Sequence, residues 1–132
     1  MNKEQDEYLR NWLFRAKEDI AVIDSLFKSD PVLYASTICF HAQQAVEKFL
    51  KAFLVYNNID FPRTHDIDFL LLECQKIDKK SFDLDLGSLS EFGVSIRYPD
   101  DFYIPDKEET LQYRDIAHKT QEIVERKIKL SN

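Results

Sequence analysis

Four polar residues in a mostly apolar stretch fall on one line. His41, Gln44, Lys48 and Lys51 stand at i, i+3, i+7 and i+10, the spacing that gathers side chains on one face of an α-helix. They form a row of donors with two ammonium groups. Lysine meets phosphate as a point charge and a glutamine amide suits a base or a ribose, so the row reads as an anion or nucleotide site. The same spacing fits a solvated helix face on which Glu47 pairs with Lys51 one turn away. Spacing alone leaves both readings open.

Two other constellations bear on the same chemistry. Thr64-His65-Asp66 lies at a helix start, where free backbone N–H groups favour an anion. There His65 is a donor or base oriented by Asp66, or Thr64 and Asp66 are plain caps and His65 is a surface residue. No third ligand is spaced near it, so no metal site is expected. Arg97-Tyr98-Pro99-Asp100-Asp101 ends a helix and enters a rigid loop. Arg97 either binds a ligand phosphate or pairs with Asp100 and the last carbonyls of its own helix. Arg114 and His118 are an i, i+4 pair that reads as an exposed helix face. No Ser/His/Asp pattern supports a hydrolase triad. The Gly-rich loops that cradle nucleotide phosphates, G-x-x-x-x-G-K-[ST] and G-x-G-x-x-G, are absent, and no cofactor is implied.

The elements that must position these residues are helical. Leu9, Trp12 or Leu13, Ala16, Ile20, Ile23 and Phe27 recur at steps of three and four, predicting a first helix over about Glu4 to Phe27. Asp30-Pro31 predicts an N-cap and first helical position, opening a second helix from about Val32 to Tyr56. Its core set, Ala35, Ile38, Ala42, Ala45, Phe49, Ala52 and Tyr56, is widened by Cys39, Val46, Leu50 and Phe53, as a central helix covered on two sides requires. After the linker Ile59–Arg63, Thr64 or Asp66 caps a short helix through Ile67, Leu70, Leu71 and Cys74. Asp78–Gly87 reads as loop. Ser88-Leu89-Ser90-Glu91 reads as a capping box opening another short helix that ends near Arg97. A second box, Asp106-Lys107-Glu108-Glu109, opens the last helix, with Tyr113, Ile116, Ala117, Thr120, Ile123, Val124 and Ile128 on one face. The expectation is one all-α domain over residues 1–132, an antiparallel up-and-down bundle of three long and two short helices.

Composition agrees. In 132 residues there are only two glycines and four prolines, with 44% hydrophobic and 32% charged residues, too little turn punctuation for an all-β fold. The net charge of −6, most of it in residues 61–106, leaves no basic cluster for strong non-specific nucleic-acid binding. A small nucleotide needs only a few cations at one spot. Neither a signal peptide nor a membrane span is visible, so a soluble, cytoplasmic chain is expected. Cys39 and Cys74 then read as reduced and buried thiols.

Taken together, Trp12 and Ala16, the run His41-Ala42-Gln43-Gln44-Ala45-Val46-Glu47-Lys48-Phe49-Leu50-Lys51-Ala52, Thr64-His65-Asp66-Ile67 and Arg97-Tyr98-Pro99-Asp100 resemble the HEPN domain family in order and spacing over almost the whole chain. The resemblance implies a bundle similar to the substrate-binding domain of kanamycin nucleotidyltransferase. It also implies homodimers and pairing with a separately encoded minimal nucleotidyltransferase, sometimes as toxin and antitoxin. The family name records proposed nucleotide binding, and the matching positions here are Gln44, Lys48, Lys51, His65 and Arg97. Many HEPN proteins are metal-independent ribonucleases that carry an Arg with a His beyond four to six intervening residues. This chain departs from that pattern, having Phe102, Tyr103 and Ile104 at the equivalent positions. RNA cleavage at neutral pH wants an imidazole to move protons, so the expectation is a binding subunit without catalytic residues. The alternatives are a ribonuclease with an atypical site, using Arg97 or the Arg114/His118 pair, and a purely structural helical dimer.

Overall fold

The computed structural model describes residues 1–93 and 103–130. Among them are four α-helices, α1 (Lys3–Ser29), α2 (Ala35–Tyr56), α3 (Ile67–Asp78) and α4 (Lys107–Lys127), one 3₁₀ turn (Leu89–Phe92) and no strand. The architecture is all-helical, as the periodicity requires. The expected count of three long and two short helices is not confirmed: among the described residues the second short helix is, as far as Gly93, a single 3₁₀ turn. Ser88 makes no side-chain cap there. The rest of that expected helix, Arg97 included, lies outside the described residues.

Local chemistry sets the ends. Asn2 and Gln5 form a reciprocal capping box at the start of α1, and Asp106 and Glu109 form the one expected at α4. Asp66 caps α3 by accepting from the Phe69 N–H at 3.1 Å, while Thr64 Oγ1 accepts from the Asp66 N–H. Helix α2 starts three residues later than the Asp30-Pro31 signal predicts. Asp30 Oδ1 accepts from the N–H groups of Val32 and Leu33, so the carboxylate closes a separate turn. The helix then begins after Tyr34, which offers no side-chain cap.

Helix α2 is the core. From Ala42 to Leu54 only Gln44 and Lys48 escape full burial. Ala35, Ala42, Ala45 and Ala52 have 1% or less of their surface exposed, and their small side chains let α1 and α4 approach on two sides. A larger residue at any of them costs about 1–3 kcal/mol in overpacking. The loop after α3 is anchored by buried Phe82 and Leu86, Phe82 lying 4.6 Å from the Phe53 ring. Both cysteines are free and buried, and burial pushes each thiol up to about 12.

Contacts give the helix directions. Gln5 reaches Asn58, the Lys51 ammonium sits over Trp12, and Asp19 meets His41 and Lys48, so α1 and α2 are antiparallel. Arg114 stacks on Phe27 and His118 bonds Asp24, so α1 and α4 are antiparallel too. Helices α2 and α4 therefore point the same way. Alternation holds for α1 with its neighbours but not for α2 with α4.

Candidate functional site

The donor row of α2 is built against two carboxylates. Asp19, 6% exposed in the middle of α1, accepts from His41 Nδ1 at 2.8 Å and from Lys48 Nζ at 2.6 Å. One turn further along α2, Glu47 is 3% exposed. It accepts from Lys51 Nζ at 2.9 Å and faces His65 Nδ1 at 3.0 and 3.1 Å. A buried carboxylate has to be paired and hydrogen-bonded, and each of these is held by one ammonium and one imidazole. With both imidazoles neutral, the two clusters together carry no net charge.

The imidazoles differ in what they offer. The His65 side chain is 78% exposed although its partner carboxylate is 4% exposed. With Nδ1 donating to Glu47, the neutral ring presents Nε2 as an acceptor and the protonated ring presents it as a donor. The His41 side chain is 25% exposed and packs edge-on to Phe40. The Thr64-His65-Asp66 stretch is thus divided. Asp66 caps its helix, and the buried Glu47 is what orients His65.

Gln44 belongs to a relay that the sequence only half shows. Its Nε2 donates to Gln43 Oε1 at 2.8 Å, and Gln43 Nε2 donates to the His65 carbonyl at 3.0 Å. Gln43 is fully buried, and a Cβ at Gly93 would stand 3.3 Å from its amide. Glycine there lets the chain close over the relay. Lys51 carries a second constraint: its ammonium lies 5.2 Å from the centre of the Trp12 ring and 5.8 Å from that of Phe61, a cation–π arrangement. It is 5% exposed, so this part of the row is not a solvated face.

The structure therefore brings Gln44, Lys48, Lys51 and His65 together on one side of α2. Arg97 lies outside the described residues. Arg114 and His118 sit elsewhere, facing α1, where the guanidinium stacks 4.4 Å from the Phe27 ring centre and His118 Nε2 meets Asp24 Oδ1 at 2.6 Å. Tyr103 bonds the Glu109 carboxylate, which pushes its hydroxyl up to about 12. Among the described residues no group of His, Cys, Asp and Glu side chains is placed to hold a metal ion, and no helix is long and apolar enough to cross a membrane.

Sequence reasoning missed Asp19 and Gln43. Both carry a periodicity signal: Asp19 stands between Ala16 and Ile23 in the apolar stripe of α1, and Gln43 between Cys39 and Val46 in that of α2. A polar residue at a core position asks for a buried partner. No curated protein and no solved structure matches the chain. The model of the HEPN domain, by contrast, matches residues 9–130, which takes in α2, α3, α4, most of α1 and both carboxylate clusters; the chain belongs to the HEPN domain family.

Proposed function

We propose that this chain is a cytoplasmic HEPN binding subunit without ribonuclease chemistry. In this reading it forms a homodimer, pairs with a separate minimal nucleotidyltransferase, and takes a nucleotide or a nucleotidyl-transfer substrate at the α2 face. Gln44, Lys48, Lys51, His65 and Arg97 are the contacting residues. The observation that carries the reading is the Glu47–His65 pair, in which a buried carboxylate holds an exposed imidazole beside Gln44 and two ammonium groups. Exposed apolar side chains such as Phe14, Leu33 and Leu72 supply surface for the dimer and the partner.

The ion pairs set the strength of such binding. Asp19 and Glu47 already neutralise Lys48 and Lys51, so a ligand phosphate competes with two carboxylates. His65 and Gln44 make the first contacts, and the affinity is micromolar at best and falls with salt. The test is calorimetric titration of ATP and AMP, with and without a nucleotidyltransferase partner, into wild type, Gln44→Ala and His65→Asn. Weakening in both variants is expected. An absence of binding to wild type at millimolar nucleotide overturns the reading.

A second reading, a purely structural helical dimer, is favoured by the same ion pairs, since both ammonium groups have partners inside the fold. The atypical ribonuclease reading has less behind it: His118 and Arg114 are engaged with Asp24 and Phe27. Incubation with mixed RNA without metal should give no cleavage.

A further inference from the structure

The start of α1 and the end of α2 enclose a small cavity of about 180 Å³ between Gln5, Tyr8, Asn58, Ile59, Asp60 and Phe61. We infer that this cavity is a binding site for a small organic cation, a guanidinium or primary ammonium head on a short apolar stem. The inference is independent of the nucleotide site proposed above.

Three features of different origin give the cavity its sign. Asp60 is the one charged residue of its lining, and it is exposed. The cavity lies at the C-terminal end of α2, whose last turn contains no basic residue, so the negative end of that helix is met by the neutral Asn57 amide and by backbone N–H groups and by no cation of its own. Its walls include the rings of Tyr8 and Phe61, which continue through Trp12 as an edge-to-face series with centroids 6.0 and 6.4 Å apart. Aromatic faces attract cations, and this series already holds the Lys51 ammonium, 5.2 Å from Trp12 and 5.8 Å from Phe61. Glu47 neutralises that ammonium at 2.9 Å, so it does not repel a second cation. The opposing helix end, the N-terminus of α1, is closed by the Asn2–Gln5 box and carries Glu4 and Asp6 in its first turn.

The polar lining selects among cations. The Asp60 carboxylate accepts hydrogen bonds, which suits a head bearing N–H groups over a quaternary ammonium; the Gln5 and Asn58 amides beside it are bonded to each other at 3.4 Å. Asn58 holds its place through a left-handed backbone, with φ of 58°. That conformation closes α2 by returning the Ile59 N–H to the Leu54 carbonyl at 2.9 Å. Val55 and Ile59 supply apolar surface for a stem. A phosphate would meet the like charge of Asp60 and no cation in the lining.

Trp12 is the only tryptophan, and it touches Tyr8 and Phe61, so its fluorescence reports the site. Agmatine titrated into the full-length chain should give a saturable change with a Kd of about 1 mM or tighter, confirmed by calorimetry. Asp60→Asn should weaken binding at least about tenfold, a loss of the order expected for one charge-assisted contact. Tyr8→Leu should weaken it severalfold, while Glu122→Gln on α4 should leave it unchanged. Circular dichroism checks that the variants are folded. Tetramethylammonium should bind more weakly than agmatine. N-acetyl-arginine methylamide carries the same head as a peptide side chain, and tighter binding of it than of agmatine overturns a free amine as the source. A linear response to agmatine with no saturation, equal affinity in Asp60→Asn, or AMP binding that Tyr8→Leu abolishes each overturns the site.

Discussion

Helix α1 faces α2 and α4 with similar chemistry and a different outcome. Against α2 it sets Asp19 on His41 and Lys48; against α4 it sets Asp24 on His118. The contact distances are alike, 2.8 and 2.6 Å on one side and 2.6 Å on the other. The surroundings differ: the Asp19 side chain is 9% exposed and the Asp24 side chain 49%. In the second case water can replace the partner, so the pair holds little energy. In the first the carboxylate depends on the partners that the fold supplies. Distance between charged groups therefore does not rank these contacts; burial does. Glu47, with 4% of its side chain exposed between Lys51 and His65, lies furthest toward the buried extreme.

That ranking is tested by removing one charge at a time and measuring urea unfolding. Glu47→Gln should have the largest effect, a loss of about 3–5 kcal/mol, because it leaves the Lys51 ammonium buried without its counter-charge. The double variant Glu47→Gln/Lys51→Met should recover much of it, since no isolated charge then remains. If the single variant loses less than about 1 kcal/mol, the cluster is wetter than its exposure indicates.

Asp19→Asn comes next, at about 1.5–3 kcal/mol, the range for hydrogen bonds to a charged group. Its partners are more open than those of Glu47, with 15% of the Lys48 side chain and 25% of the His41 side chain exposed. A larger loss for Asp19→Asn than for Glu47→Gln would reverse the ranking by burial. Asp24→Asn, on the other face of α1, should change stability by less than about 1 kcal/mol. A loss equal to that of Asp19→Asn would remove the distinction between the two faces.

The parts of this arrangement that could be read from the sequence are those that follow a period. The apolar stripes of α1, α2 and α4, the Asp66 cap, the Asp106–Glu109 box and the i, i+4 pair Glu47–Lys51 all depend on neighbours along one helix. What was not legible depends on which helix lies opposite. Nothing within α2 says that Lys48 finds its carboxylate 29 positions earlier, on α1. Nothing near His65 says that Glu47, and not the adjacent Asp66, will hold its ring. The late start of α2 escaped for a local reason: Asp30 and Pro31 are good helix openers, and here the carboxylate of Asp30 satisfies a turn first.

The smallest expected effect concerns a fourth carboxylate, which links α3 to α4 at the surface. Asp78 accepts from Lys127 Nζ at 2.7 Å and from the Ser81 N–H at 3.1 Å, and these bonds hold its carboxyl at about 2, below the ordinary 3.8. A carboxyl lowered by folding stabilises the native state above its unfolded pKa, and the contribution disappears as the pH falls through the folded value. Wild type should therefore exceed Asp78→Asn in urea midpoint at pH 5.5, and the gap should narrow below pH 3.8 and close near pH 2. Lys127→Ala removes the main donor and should shrink the same gap while leaving the Ser81 bond in place. A gap that stays constant across this range would mean that Asp78→Asn acts by altering the end of α3 and not through the charge. A gap as wide as the loss in Glu47→Gln would show that an exposed ion pair can match a buried one in this fold, and the ordering by burial would no longer hold.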